Sequence, residues 1–210
     1  MNWTNLFKRI SVILMNTMKS ITGILLGLII ISSLIFSVSF TPSKPQISFA
    51  TSNMENFMNM TEEQRVQTAK NMTQEQKNAV ITEFSKENST INENMTDSMT
   101  NNINSLMGNF VGAGDGFHNV EGVAKVIALS DGKTFLRVEN LKATNGPDLY
   151  VYLSTDANTS DIVNLGRLKG NIGNQNYEIP TGTDLSKYDT VLIWCKAFST
   201  LFGSAKLSSQ

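Results

Sequence analysis

Two residue types with ligand or redox chemistry occur only once each in the 210-residue sequence, as Cys195 and His118. Cys195 follows a β-branched and aromatic run at 191–194, which predicts a buried strand that ends at the thiol. A lone cysteine cannot form an internal disulfide. It is therefore a free thiol, half of a disulfide with another chain, or itself a ligand to a bound group. The reactivity of this thiol therefore decides whether the protein does chemistry.

A reactive thiol needs some exposure and a pKa lowered by a nearby cation or a helix N-terminus. Lys196 is adjacent to Cys195, but neighbours on a strand point to opposite faces, which keeps the ammonium away from the sulfur. Trp194 could stack on a cofactor or pack in the core. Three interpretations of Cys195 stay open: a buried packing residue, a redox thiol or ligand, and half of an intermolecular disulfide.

His118 could join Cys195 in a two-ligand haem or metal site, because both residue types serve as axial haem ligands. Covalent c-type haem is excluded because the sequence lacks a CxxCH motif. A zinc site is disfavoured because two nitrogen or sulfur ligands fall short of the usual set. A lone histidine is also compatible with a purely structural role.

Copper is the other metal that the composition allows. Methionine thioethers suit copper(I), whereas methionines at irregular spacing also serve to fill helix faces and gaps. Seven methionines lie between residues 54 and 107: Met54, Met58, Met60, Met72, Met95, Met99 and Met107. The cofactor is thus unknown at this point, with haem and copper both possible.

Several function classes are excluded by charge and motif. The formal net charge is −1 and no run of basic residues occurs, so the sequence predicts no nucleic-acid partner. No GxSxG, HExxH, P-loop or Rossmann glycine pattern is present, so hydrolysis and phosphoryl transfer have no support.

A hydrophobic segment near the N-terminus predicts contact with a membrane. Residues 21–40 supply about 20 apolar residues, enough to cross the hydrocarbon core as a helix. Lys8, Arg9 and Lys19 precede this segment, and the positive-inside rule places them in the cytoplasm. The remainder of the chain is then outside the cell membrane.

A cleaved signal peptide is the alternative interpretation of the same segment. Ser37-x-Ser39 and Ser48-x-Ala50 offer small residues with the spacing of a cleavage site. The protein would then be secreted instead of anchored. Both interpretations place residues beyond about 50 outside the cytoplasm.

An outside location gives meaning to the N-x-S/T triplets, which accept glycans on exposed backbone in cells that glycosylate. The abundance of Asn, Ser and Thr also allows these triplets to arise by chance. The candidate acceptors are Asn59, Asn71, Asn88, Asn94 and Asn158.

A short repeat predicts two helices before the C-terminal half. Residues 59–65 match residues 71–77, and each copy has threonine at the N-cap and glutamine at the third helical position. This capping-box pattern predicts helices at 62–70 and 74–86. Residues 87–105 are polar and Asn-rich, so we expect a flexible linker.

The sequence from about residue 110 alternates short apolar runs with Gly, Asn and Asp turns, which predicts an all-β domain, an antiparallel sandwich or small barrel. The predicted strands are 117–121, 123–129, 134–139, 149–153, 177–179, 190–195 and 201–207.

The predicted organisation is a cytoplasmic segment (1–20), a transmembrane helix or signal anchor (21–40), a polar stalk with two short helices (41–109) and the β domain (110–210).

The order of several motifs in the β domain resembles one family. The motifs are Gly116-Phe117-His118, Asn145-Gly146-Pro147-Asp148-Leu149-Tyr150, Leu165-Gly166-x-Leu168-Lys169-Gly170-Asn171, and Trp194-Cys195-Lys196-x-Phe198-x-x-x-Phe202-Gly203. This part of the chain, about 110–207, is similar to the DM-thirteen domain, the module of the animal protein Skeletor that often accompanies DOMON domains.

The resemblance implies an extracellular or surface β module for which electron transfer has been proposed. The family's hallmark cysteine matches Cys195, and the resemblance implies that it acts as a bare thiol or holds haem. The favoured hypothesis is therefore a membrane-anchored redox relay with protein partners. The alternative is a non-catalytic surface binding or structural domain in which Cys195 only packs the core.

Overall fold

The computed structural model describes residues 54–95 and 106–209, which belong to one compact unit. The predicted cytoplasmic segment and the predicted membrane segment at 21–40 lie outside these residues. Within the described part of the chain, no helix is both long enough and apolar enough to span a membrane.

Helix α1 (Glu62–Lys70) and helix α2 (Gln74–Phe84) follow a short helical stretch at 54–58. Both have the predicted capping box, in which the N-cap threonine and the third helical glutamine each satisfy the other's backbone N–H. The predicted helix positions are confirmed, and α2 ends two residues earlier than expected.

Eleven strands are present among the described residues. They are β1 (Thr90–Asn92), β2 (Leu106–Asn109), β3 (Val111–Gly112), β4 (Val120–Ala128), β5 (Thr134–Ala143), β6 (Leu149–Ser154), β7 (Ile162–Arg167), β8 (Ile172–Ile179), β9 (Thr190–Cys195), β10 (Thr200–Lys206) and β11 (Ser208–Ser209). One sheet has the order β1-β8-β5-β4-β2-β11 and the other β3-β10-β9-β6-β7.

The two sheets pack face to face as a sandwich. Strands β5, β6 and β9 point their inner side chains into one hydrophobic core, for example Leu136, Val151 and Ile193, all fully buried. This arrangement confirms the predicted β fold and selects the sandwich over the barrel. All the pairings are antiparallel except that of β1 with β8.

The strand prediction was wrong in several places. It missed β1, β2, β3, β7 and β11, and the strand expected at 177–179 begins at Ile172. Residues 117–129 were expected to form two strands, but β4 is one strand with a bulge between Glu121 and Val123. Gly122 lies in this bulge with φ 124°, and a Cβ there would come within 2.7 Å of the Glu139 carbonyl oxygen. Strand β7 was missed because Asn164 and Gly166 interrupt its apolar pattern.

Residues 54–95 pack on the sandwich. Phe57, Val80, Ile81 and Phe84 join the same hydrophobic core as the inner faces of the sheets. Strand β1, in the segment expected to be a linker, pairs with β8 and forms one edge of the first sheet. This differs from the stalk expected from composition, because a few buried apolar residues and side-chain bonds from distant loops suffice to order the segment.

Candidate functional site

Cys195 is the last residue of β9, at the tip of the β9–β10 hairpin. It pairs with Leu149 at the start of β6 and with Thr200 at the start of β10, and residues 196–199 form the turn. Its side chain points into the core between the sheets and is 0% exposed. The predicted strand end is confirmed, and the thiol is free and buried.

Burial raises the pKa of the Cys195 thiol to about 11, because the thiolate would lose its hydration. The backbone N–H groups of Phe198, Asp148 and Ala197 lower the pKa of the thiol and partly offset this effect. The nearby Asp148 carboxylate raises the pKa further. In this conformation the sulfur is therefore a neutral thiol at physiological pH and a poor nucleophile.

The lysine next to the thiol faces away from it, as strand alternation predicts. The Lys196 ammonium pairs with Glu62 of α1 and lies 5.3 Å from the centroid of the Tyr150 ring. The Tyr150 ring belongs to the hydrophobic cluster on the outer face of the second sheet. Lys196 therefore binds α1 instead of activating the sulfur in this conformation.

Asp148, immediately before β6, carries a fully buried carboxylate. Arg65 of α1 donates to both its oxygens, from Nε at 2.6 Å and from Nη2 at 2.9 Å. Arg167 at the end of β7 donates a third hydrogen bond at 2.5 Å. A buried carboxylate needs such partners, since an unpaired one would be strongly destabilising.

Glu62, at the N-terminus of α1, receives hydrogen bonds from three elements of the second sheet. The Lys196 ammonium, the Tyr150 hydroxyl and the Arg167 guanidinium all donate to its carboxylate. Lys196 and Tyr150 lower the pKa of Glu62 to about 2, with a smaller contribution from Arg167, against a partial desolvation that raises it. Glu62 and Arg65 thus fasten α1 over the hairpin tip that carries the thiol.

Sequence reasoning missed this ionic cluster. Asp148 was named only as part of a motif before a predicted strand, and no role was assigned to Glu62, Arg65 or Arg167. Arg65 and Asp148 are 83 positions apart, so no local pattern links them. One signal was present, because the repeat keeps a basic residue at the equivalent positions Arg65 and Lys77.

His118 lies in a separate set of contacts. Its Nδ1 is 2.5 Å from a carboxylate oxygen of Asp115, and its ring packs on Phe202 at 4.4 Å and on Phe117 at 5.1 Å. Nε2 is buried without a hydrogen-bond partner among the described residues. Although desolvation opposes it, bonds from His118 and the Phe117 N–H lower the pKa of Asp115 to about 2.

A haem or metal site was tested against these donors. The orphaned His118 Nε2 has the chemistry of a ligand, but phenylalanine rings occupy the space against the imidazole. No group of three or more His, Cys, Asp or Glu side chains in residues 54–95 and 106–209 could hold a metal ion. The described donor set therefore does not fit a metal centre, and the packing around His118 does not fit a haem.

The other predicted residues are placed apart from the thiol. Trp194 packs with the outer-face cluster, on the side of the sheet opposite Cys195. Met54, Met60 and Met72 pack against the hydrophobic core, and Met99 lies outside the described residues. All five candidate glycan acceptors are exposed: Asn59, Asn71, Asn88, Asn94 and Asn158.

Comparison with known proteins gives one match. No curated protein and no solved structure matches the chain. The family model described as Electron transfer DM13 matches residues 111–207, from β3 through Leu207. This span includes Cys195 and eight of the eleven strands, β3 to β10, and it confirms the resemblance seen in the motifs. Residues 111–207 of this chain match the DM-thirteen family of electron-transfer domains.

Proposed function

We propose that the protein is an outward-facing electron-transfer module, anchored by residues 21–40, whose redox centre is the Cys195 thiol. The family match to an electron-transfer domain is the observation that carries this proposal. The anchor and its orientation rest on the uncharged segment and on Lys8, Arg9 and Lys19 before it.

A bare thiol is the favoured form of the centre, because the described side chains do not assemble a metal site. One cysteine cannot store an electron pair as an internal disulfide, so it would work as a relay between partners. The Cys195 thiolate attacks an acceptor disulfide, which breaks the S–S bond, forms a mixed disulfide and releases one acceptor thiolate.

A donor dithiol then completes the transfer. One donor thiolate attacks the mixed disulfide and releases the second acceptor thiolate, and the other donor thiolate releases Cys195 as the donor disulfide closes. The donor dithiol loses two electrons and the acceptor disulfide gains them. The released thiolates take up the protons that the donor thiols lost, and Cys195 is regenerated.

A second candidate function is favoured by a specific observation, the complete burial of Cys195. A raised thiol pKa and a position inside the core are typical of a cysteine that only packs the core. In that case the domain is a surface binding or structural module, and its loops meet a protein partner or a glycan.

Exchange with glutathione under native conditions separates the two candidates. The full chain, purified in detergent, is incubated at several ratios of reduced to oxidised glutathione, and intact mass reports the mixed disulfide. We expect reversible adduct formation that follows the ratio while circular dichroism stays unchanged. Cys195→Ala serves as the blank. An adduct that forms only when the domain unfolds would contradict the redox function and support the binding or structural module.

A further inference from the structure

We propose that residues 54–84, here called the helical cover, close the end of the sandwich at which Cys195 lies, and that their opening controls access to the thiol. The inference rests on the proposed function, because it concerns the same thiol. Two residues next to the Cys195 hairpin tip, Phe198 and Asp148, also contact the cover. A cluster of ionic contacts holds the cover in place.

The first shared residue is Phe198, in the turn after Cys195. Its backbone N–H lowers the pKa of the Cys195 thiol, and its ring packs on the ring of Phe57 with centroids 5.5 Å apart. Phe57 lies in the helical stretch at 54–58, at the start of the cover. Removal of Phe57 would therefore uncover the hairpin tip from which the thiol points inward.

The second shared residue is Asp148. Its carbonyl oxygen accepts a hydrogen bond at 2.9 Å from the N–H of Lys196, the residue after Cys195, while its buried carboxylate accepts two hydrogen bonds from Arg65 of α1. When α1 moves away, Arg167 is the partner that remains. Opening exposes this carboxylate to water and removes its hydrogen bonds to Arg65. The position of the cover therefore depends on the charges of Asp148 and Arg65.

The cover is attached less extensively than the strands are to each other. Its buried apolar contribution consists of few side chains, Phe57, Ala69, Val80, Ile81 and Phe84. Residues 85–87, between α2 and β1, are exposed, whereas β1 remains bonded to β8. Elements with few buried contacts open at lower free energy than the core, so the cover can lift while the sandwich stays folded.

Opening would change the chemistry of the sulfur. Water reaching Cys195 removes the desolvation that disfavours the thiolate. The closed form thus stores a neutral thiol, and the open form presents a reactive one.

The test measures the rate at which 5,5′-dithiobis(2-nitrobenzoate) labels the full chain in detergent at fixed pH. Cys195 is the only thiol, so every adduct reports it. Arg65→Met removes the bidentate bond to Asp148, and we expect labelling to accelerate about tenfold to a hundredfold, as for loss of hydrogen bonds to a buried charge.

Lys206→Met is the matched control. Lys206 pairs with Asp189 at 2.6 Å, and it lies at the opposite end of β10 from Thr200, the residue that pairs with Cys195. We expect this variant to label within about twofold of the parent, because it removes only an exposed ion pair. Equal labelling rates in Arg65→Met and Lys206→Met would overturn the proposal.

Glu62→Gln gives an independent reading where Arg65→Met fails to fold, since it weakens the cover without leaving a buried charge unpaired. Near-ultraviolet circular dichroism checks that each variant keeps its sandwich. Faster labelling of Glu62→Gln with an intact sandwich supports the cover, and an unchanged rate contradicts it. The labelling experiment and the glutathione experiment can fail independently. If labelling shows that the cover controls access but the thiol takes up no glutathione, only the proposed redox function is contradicted.

Discussion

Cys195 is a protected thiol, and its burial explains both its resistance to oxidation and its low reactivity. Burial in the core raises the pKa of its thiol, and nearby backbone N–H groups offset only part of that effect. A protein that displayed such a thiol openly would be prone to oxidation outside the cell. Burial therefore agrees with a redox role only if the thiol can be exposed, as the helical cover allows.

The packing around Cys195 leads to a ranking of its substitutions. Cys195→Ser should be the worst of the Ser, Ala and Val series, at a cost of about 1–3 kcal/mol, because the backbone groups that face the side chain are donors and leave the hydroxyl hydrogen without an acceptor. Thermal unfolding of the three variants measures this. A serine variant as stable as the parent would mean that the site is hydrated.

At the residue scale, the sequence predicted what depends on neighbours along the chain. The strand ending at Cys195 and the outward direction of Lys196 both follow from alternation, and both are observed. The role of Asp148 could not be predicted. A carboxylate before a strand indicates a turn unless the distant Arg65 is known to reach it.

At the scale of elements, capping boxes fixed the starts of α1 and α2, because the reciprocal hydrogen bonds are local. The docking of these helices was not predictable from their composition. Their polar surface is typical of a solvated segment, and the few buried side chains give a weak apolar stripe. Long-range pairing also explains why β1 was missed, since its partner β8 is about 80 residues away.

The attachment of α1 should depend on pH through Glu62. Its pKa is lowered from 4.5 to about 2 by Lys196 of the turn and Tyr150 of β6, with a smaller contribution from Arg167 of β7. A carboxyl group with a depressed pKa stabilises the folded state above its ordinary pKa, and this stabilisation is lost as the pH falls through the folded-state value.

Comparison of the parent with Glu62→Gln isolates this effect, because Asp115 titrates in the same range in both proteins. At about pH 6 the parent should be more stable by about 1 kcal/mol, the scale of a partly exposed ion-pair network. The difference should shrink between about pH 5 and about pH 2. Melting temperatures across this range measure it, and a constant difference would show that Glu62 does not hold the cover.

At the scale of the whole molecule, the family match covers most of the sandwich, and the proposed control of access to Cys195 lies in the residues that precede it. The family match begins at residue 111, so α1, α2 and β1 all lie outside it. The fold class and the family could be predicted because strand composition, turn residues and motif order are local properties. The joining of the helical cover to the sandwich depends on contacts that only the folded structure reveals.

The central claim is that Cys195 is the redox centre of a domain that faces outward. Its most direct test is the oxidised fraction of Cys195 in intact cells that express the full chain. Cells are exposed to a charged, membrane-impermeant phosphine reductant, quenched with acid and alkylated, and the Cys195 peptide is quantified by mass spectrometry. We expect a fraction oxidised as mixed disulfide, which falls with the reductant and returns when it is washed out. A cysteine that stays fully reduced throughout, or one that responds only to a permeant reductant, would contradict the claim.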